Sequence, residues 1–454
     1  MAELPEGKPS VRSVFLGREE GGRRMATREF RSDFDVIVAG SGPGGATVTR
    51  ELARAGRRVL LLEWGDRPDI RGSFIQLASM MRRPGRGVLF TPDGLALFRN
   101  VTTGGSSMSY YATAWEPPTE RLKHYGIDVS RELEEIRREL PITALPDELI
   151  GPFARVIMAS ARDLGYRWEK LKKFVYREKC RPDCDKCIYG CPHGAKWTAR
   201  MYAEEAVGSG ATLLNGARVT RVLVENGKAV GVEFRMSGRE QKALAPQVVL
   251  SAGGIGSPVI LRASGIRAAG RDFFFDPLIG VFGTVKGIRG GREFPMATGC
   301  HFEEEGYILS DYNLPAPLYM AFACEVLRFD RAFSHSRTLQ IMVKARDPLG
   351  GRLTNRGGVR KRLSAADKDR LHHGSERAKK ILKHAGAKNI FRSWYIAAHP
   401  GGTVKIGDLV DSNLRTEIEN LYVCDCSVIP ASWGLPPVFT ILCLARRLAR
   451  HLSA

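Results

Sequence analysis

The period of the apolar positions changes several times along the chain, and these changes mark out its elements. Asp35-Val-Ile-Val-Ala-Gly40 is a short continuous apolar run, the pattern of a strand buried on both faces. Ala46–Ala55 takes up a helical period, and Arg58-Val-Leu-Leu-Leu-Glu63 returns to a strand, so a β-α-β unit is predicted. Residues 116–176 follow a charged helical pattern broken by Pro141, Pro146 and Pro152. A cysteine-rich loop interrupts, and a helix is predicted over Ala195–Val207. Residues 212–250 read as strands, with Glu225-Asn226-Gly227-Lys228 as a hairpin turn. Val248–Ser251 leads through a glycine turn, Gly253–Gly256, into a helix ending at Ser264. From about Gly270 to Tyr395, stretches alternate between apolar and polar with many aromatics, and helical periods are few until Ser364–Ala385. That region predicts an antiparallel sheet lining a site. After Ala398 the glycine-rich β-α character returns, and there are no internal repeats.

The first turn carries chemistry. Gly40-Ser-Gly42-Pro-Gly44-Gly45 lies between a strand and a helix, and Glu63 ends the next strand 18 positions after Gly45. GxGxxG alone is a weak signal, but this context makes it a dinucleotide-binding fingerprint. Gly40 allows the tight turn, Gly42 lets the backbone approach a pyrophosphate, and Gly45 lets helix and strand pack closely. The helix N-terminus offers free N–H groups to phosphates. Glu63 is placed to accept hydrogen bonds from the adenosine ribose. The N-terminal position, the length of chain that follows, and a strand around Val219–Val224 against which an adenine can lie favour FAD over NAD.

Composition narrows the classes. With 454 residues, two domains are the default. Hydrophobic content of 43% and charged content of 26% fit a globular protein. The net charge is +20, but the cations are scattered through mixed-charge segments such as Arg131–Glu139. No basic stripe interleaved with aromatics appears, which argues against nucleic acid; acidic partners or anionic substrates fit better. No apolar run approaches the roughly 20 residues of a membrane span. Met1–Ser32 is polar, lacks the apolar core of a secretory signal, and reads as a loose extension. A cytoplasmic location is expected, with the nine cysteines as thiols or metal ligands instead of disulfides.

Later segments carry a family resemblance. Ser251-Ala-Gly-Gly-Ile-Gly-Ser-Pro-Val-Ile-Leu-Arg-Ala-Ser-Gly265-Ile266 resembles the second signature of the glucose–methanol–choline (GMC) oxidoreductases, departing from it at Gly254 and Arg267. Ala398-His399-Pro-Gly-Gly-Thr403, Asp411-Ser-Asn-Leu and Asn420-Leu-Tyr-Val-Cys-Asp425-Cys-Ser427-Val-Ile-Pro430 are similar to its C-terminal block. Thr103-Gly104-Gly105-Ser106-Ser107 is similar to its flavin-embracing loop. The resemblance covers roughly 33–115, 180–268 and 393–452, while 270–390 carries no recognisable motif.

The resemblance implies an α+β fold. A Rossmann-like FAD-binding domain is assembled from 33–115, 177–268 and 396–454. An inserted substrate domain comes from 116–176 and 269–395 and is built on an antiparallel sheet. Residues 1–32 form the N-terminal extension. The implied activity is oxidation of an alcohol-type small molecule. His399, on a stiff turn before Pro-Gly-Gly, takes the hydroxyl proton while carbon gives hydride to flavin N5; an ordinary imidazole suits that role near neutral pH. Gly104, Gly105, Ser106 and Ser107 hold the flavin, Ala252 and Gly253 face the cofactor, and Asp425 hydrogen-bonds its ribityl or phosphate region. A helix starting at Pro437 and Val438 points its N-terminus at the flavin, favouring negative charge by about 0.3–2 kcal/mol.

Two departures qualify this. The family places an Asn or His about 37 residues after the first histidine, but Gly434-Leu-Pro436-Pro437 stands here, and proline offers no side-chain or backbone donor. Ser432–Leu435, Tyr110 or Tyr111 are candidates to replace it. The loop Thr103–Tyr110 also lacks the histidine that tethers flavin in many relatives, so non-covalent FAD is expected. Phe273-Phe-Phe275, Phe322 and Trp394 hint at an apolar pocket, though core packing explains them equally.

Cys180, Cys184, Cys187 and Cys191, followed by Pro192, have the spacing C-x3-C-x2-C-x3-C-P, one residue longer in the first gap than a bacterial ferredoxin cluster. Soft thiolates in that spacing favour an iron–sulfur cluster. Structural zinc, disulfides and unligated thiols are the other readings. Cys187-Ile-Tyr-Gly-Cys191-Pro-His-Gly194-Ala195 resembles a segment of iron–sulfur GMC dehydrogenases, and the fourth cysteine points to [4Fe–4S]. His193 is a weaker ligand candidate. Cys300, Cys324, Cys424, Cys426 and Cys443 read as packing. The expected function is an FAD-dependent dehydrogenase whose electrons leave through the cluster to a separate redox partner protein or acceptor subunit. An oxygen-using alcohol or sterol oxidase is one alternative. An FAD and iron–sulfur electron-transfer component, or a reductase working in reverse, is the other.

Overall fold

The computed structural model describes residues 29–30, 34–81 and 87–454; apart from Glu29–Phe30, the expected extension 1–32 lies outside the described residues. In chain order, the elements that position the site are β1 (Val36–Ala39), α1 (Pro43–Arg54), β2 (Val59–Glu63), α2 (Phe74–Met81), β3 (Gln247–Leu250), α3 (Gly253–Ala263) and β4 (Pro277–Thr284). They continue with α4 (Ala316–Glu325), β5 (Thr338–Ala345), β6 (Ile396–Ala397), β7 (Leu421–Val423) and α5 (Val438–Ser453).

The dinucleotide sheet is parallel, in the order β7-β3-β1-β2-(Thr212–Asn215). Every residue of β1 and β2 is buried, as their unbroken apolar runs require. Helix α1 packs against this sheet and against α5. The predicted hairpin forms between Arg218–Glu225 and Lys228–Met236, with Asn226 and Gly227 at positive φ. The expected glycine turn at Gly253–Gly256 is instead the first turn of α3. A Cβ on Gly254 would lie 1.8 Å from the Pro400 carbonyl oxygen, so that glycine serves close packing of the helix on the His399 segment.

The second sheet follows the order (Val88–Phe90)-(Ala96–Phe98)-β6-β4-β5-(Tyr307–Asp311)-(Thr298–Phe302)-(Glu169–Lys170). It is antiparallel except where β6 pairs with Ala96–Phe98. Its back is covered by the helix Ala365–His384, which starts in a capping box between Ser364 and Asp367. The sheet takes in 88–98 and 396–397, segments that the sequence groups with the cofactor-binding part. The adjacency β6-β4-β5 sets side by side the residue before β4, a residue within β5 and the second residue after β6. Those three residues are Asp276, Lys344 and His399.

Close packing at the first turn is testable. A Cβ on Gly45 would sit 1.9 Å from the Gly40 carbonyl oxygen, whereas Gly208, at the end of its helix, has nothing within 4 Å. Gly45→Ala should lose about 1–3 kcal/mol in denaturant unfolding through overpacking. Gly208→Ala should be neutral or gain up to about 1 kcal/mol.

Candidate active site

One cavity of about 1390 Å³ lies between the two sheets. It is larger than the roughly 300–1000 Å³ that one small ligand needs, so a dinucleotide and a substrate can share it. Of the predicted cofactor residues, Gly40, Gly42, Glu63, Gly105, Ser106, Ser107, Val219, Ala252, Gly253, Asp425, Pro437 and Val438 line it. Gly45 and Gly104 stand behind the lining. Gly104, at φ 92°, donates its N–H to the Ser41 hydroxyl and brings the glycine–serine loop onto the first turn.

The glycine side fits a dinucleotide. A Cβ on Gly42 would meet nothing within 4 Å, and one on Gly105 would lie 3.1 Å from the Gly42 Cα, so two bare backbones face each other across a slot. Helix α1 has no side-chain cap at Gly42, and α5 has none at Pro437. Both N-termini therefore present free N–H groups and a positive dipole end at the cavity. Glu63 accepts hydrogen bonds from the Ser41 N–H (3.0 Å), the Ser41 hydroxyl (2.6 Å) and the Gly65 N–H (2.7 Å). Burial raises its pKa against these bonds. Asp425 accepts from the Gly253 N–H (2.8 Å), the Ser257 hydroxyl (2.5 Å) and the Ser427 N–H (2.8 Å), so it joins the segment after β7 to the start of α3.

The opposite side is chemical. His399, at φ 54°, lines the cavity, and its Nδ1 lies 3.2 Å from a carboxylate oxygen of Asp276. Lys344 Nζ lies 3.1 Å from the same oxygen, and both side chains of that ion pair are buried. Burial pushes the Asp276 pKa up, but Lys344 and then His399 outweigh it and hold the carboxyl below its ordinary range. An ionised carboxylate can only accept. The His399 Nδ1 therefore carries the proton, which leaves Nε2 as the basic nitrogen. Burial lowers the His399 pKa below the ordinary value of 6.5, partly offset by Asp276, so the ring is neutral at pH 7. Asp347 accepts the Asp276 N–H (2.9 Å) and pairs with Lys361, fixing the backbone under the site.

Sequence reasoning found His399 but missed Asp276 and Lys344. It also left the loop Ser432–Leu435 and two tyrosines as replacements for the group absent at Pro436; the Ser432 hydroxyl donates to the second Asp276 oxygen at 3.5 Å. The Tyr110 hydroxyl donates to the Trp197 carbonyl (2.8 Å). The Tyr111 hydroxyl is buried without a partner among the described residues, and Tyr111 lines the cavity. Around it the wall is apolar: Phe98, Leu278, Met296, Tyr312, Phe322 and Met342. Of the aromatic residues suggested by sequence, Phe322 belongs to the wall. Phe273, Phe274 and Phe275 are buried core, and Trp394 is exposed away from the cavity.

The cysteine loop borders the same cavity. Ile188, next to Cys187, lines it. The Lys196 ammonium is buried and donates to the carbonyls of Cys187 (2.6 Å), Met108 (2.8 Å) and Tyr110 (3.0 Å). The Lys196 N–H points at the Cys191 sulfur (3.4 Å). Burial, then the neighbouring thiols of Cys191 and Cys184, push Cys180 up to about 11; burial also pushes Cys184 and Cys187 up. The four thiols thus share one environment, yet among the described residues no three His, Cys, Asp or Glu groups converge as a ready-made metal site. Of the other cysteines, Cys426 lines the cavity, and Cys300, Cys424 and Cys443 are buried.

The ion pair can be tested apart from chemistry. Lys344→Met leaves the buried Asp276 carboxylate without its lysine and should cost about 3–5 kcal/mol in chemical unfolding. Adding Asp276→Asn to that variant should recover a large part of the loss.

Comparison with known proteins agrees with this arrangement. Two GMC oxidoreductase family models match residues 100–281 and 340–445, together more than half of the chain. An uncharacterised GMC-type oxidoreductase of Mycobacterium tuberculosis is 27% identical over 92% of this chain and 76% of its own. An uncharacterised protein of Methanocaldococcus jannaschii is 25% identical over 92% of this chain and 100% of its own. A long-chain-alcohol oxidase of Arabidopsis thaliana is 24% identical over 92% of this chain and 68% of its own. Among solved structures, a pyridoxine 4-oxidase from Mesorbium loti superposes with a TM-score of 0.72 at 18% identity, over 92% of this chain and 99% of its own. A formate oxidase of Aspergillus oryzae gives 0.72 at 16%, over 94% and 99%. The cavity between a parallel cofactor sheet and an antiparallel sheet is thus one member's version of a shared plan: the chain belongs to the GMC oxidoreductase family of FAD-dependent oxidoreductases.

Proposed function

We propose that the protein is an FAD-dependent dehydrogenase that oxidises an alcohol CH–OH group and passes the electrons through an iron–sulfur cluster to a separate acceptor. The observation that carries this reading is the position of the cysteine loop. Ile188 forms part of the cavity wall, and Lys196 ties the Cys187 carbonyl to those of Met108 and Tyr110 on the cofactor loop. Cys180, Cys184, Cys187 and Cys191 would hold the cluster, which supplies one-electron transfer. FAD, when bound, would supply the hydride acceptor, and with no histidine in Thr103–Tyr110 it would be held without a covalent bond.

The chain's own residues then divide the work. Gly40, Gly42 and the free N–H groups of α1 receive the diphosphate, and Glu63 orients the ribose. The uncapped N-terminus of α5, at the cavity wall, would favour negative charge on a bound flavin. His399 Nε2 takes the substrate hydroxyl proton, while Asp276 keeps the imidazole in the required tautomer. The Tyr111 hydroxyl donates to the substrate oxygen in place of the group absent at Pro436. The oxidase names of several relatives favour a second reading, an oxygen-using alcohol oxidase.

His399→Gln should slow flavin bleaching by alcohols under anaerobic conditions about 10²–10⁴-fold. In the native enzyme that rate should fall on the acid side only below pH 6.5, because burial lowers the His399 pKa. In Asp276→Asn the acid limb should move lower still, since the carboxylate is what favours the imidazolium. A limb that stays in place would contradict the assigned pairing.

Protein purified without oxygen should contain iron and acid-labile sulfide with little zinc, and Cys187→Ser should lose both while keeping flavin. Zinc without sulfide, or fast stoichiometric peroxide in air, would favour the oxidase reading instead.

A further inference from the structure

Two helices that wall the cavity are also apolar on the side turned to solvent. In α2, Phe74, Leu77, Ala78 and Met81 line the cavity, while Phe74 and Ile75 are exposed, Ile75 by 81%. In α4, Leu318, Ala321 and Phe322 line it, while Ala316, Pro317 and Met320 face outward. The helices meet where Leu318 packs on the cluster of Leu77 and Met80. An amphipathic surface helix shows water a polar face; a helix apolar all round belongs in a core or against another apolar phase. The segment after α4 continues the surface. In Leu327-Arg-Phe-Asp-Arg-Ala-Phe333, Leu327, Phe329 and Phe333 are exposed by 75%, 62% and 90%. Arg328 and Arg331 both pair with the one carboxylate of Asp330, and Glu325, exposed at the end of α4, adds a second carboxylate, so this stretch is locally balanced and attraction to an anionic surface rests on the charge of the whole chain.

We propose that α2, α4 and Leu327–Phe333 form a docking face for an anionic lipid bilayer, so that the cavity opens toward the acyl phase and admits lipophilic alcohols from it. Soluble monomers rarely expose apolar groups on this scale without a partner. Aromatic and aliphatic side chains interleaved with arginine suit insertion at a membrane interface, where the guanidinium heads stay at headgroup level. The net charge of +20 supplies attraction to an anionic surface. The same charge opposes burying the face against a second copy of the chain, which is equally positive. No helix among the described residues is long and apolar enough to cross a membrane, so the contact is peripheral.

The test uses the full-length holoenzyme and sedimentation with vesicles of phosphatidylcholine alone or mixed with phosphatidylglycerol. Binding should require the anionic lipid and weaken with salt. Phe329→Ser with Phe333→Ser, and independently Ile75→Ser on α2, should each lower partitioning about tenfold or more, with flavin absorbance and melting unchanged. Equal partitioning of native and variant proteins, or none by either, overturns the proposal. So does a native dimer in light scattering that either variant dissociates, which would assign the face to a second copy. These outcomes do not depend on the iron content or on peroxide formation, so the surface and the electron route stand or fall separately.

Discussion

A carboxylate with 1% exposure in the middle of the protein must be matched by charge or lose its own. Asp276 is matched by Lys344 from β5 and His399 from the end of β6, on either side of its own strand, β4. This cluster couples the register of three strands to the protonation state of one imidazole. Two of its members hold left-handed backbone conformations, Asp276 at φ 49° and His399 at φ 54°. Such strain persists only where the surroundings impose it. Asp347 and Lys361 do so beneath Asp276, and the Pro400–Gly401 turn packed on α3 does so beside His399.

The other wall of the cavity is organised by two more buried lysines. Lys196 holds the Tyr110 carbonyl and Lys173 the Tyr111 carbonyl (3.1 Å). Burial pushes Lys173 down to about 7 and Lys196 down to about 8. Consecutive tyrosines are thereby fixed with different fates: one hydroxyl donates to Trp197, and the other is buried without a partner among the described residues. Because Lys196 also holds Cys187, the cysteine loop and the Met108–Tyr110 segment share a joint. In the proposed function, that joint would tie the residues that hold the cluster to those beside the cofactor.

The glycine fingerprint and the Asn226-Gly227 hairpin were legible in the sequence because each depends on neighbours a few residues away. His399 was legible through the family resemblance of its surrounding block. Asp276 and Lys344 were not. They precede His399 by 123 and 55 residues, and Lys344 in Ile341-Met-Val-Lys-Ala reads as an ordinary polar position in a strand. Only the strand order brings them together. Gly253–Gly256 was misread for a related reason: the glycines there answer to Pro400, which is distant in sequence, instead of to a local turn. The outward apolar faces of α2 and α4 were also hidden, since neither helix is predicted from the sequence: both are short, and 270–395 reads as sheet apart from Ser364–Ala385.

The claim that hydride acceptor and cysteine loop act as one unit is tested most directly by rapid-freeze electron paramagnetic resonance. Anaerobic holoenzyme is mixed with an alcohol that bleaches the flavin and frozen at intervals. The account predicts a reduced-cluster signal that grows as oxidised flavin disappears and that is absent in Cys187→Ser. Flavin bleaching with no cluster signal at any time would contradict it.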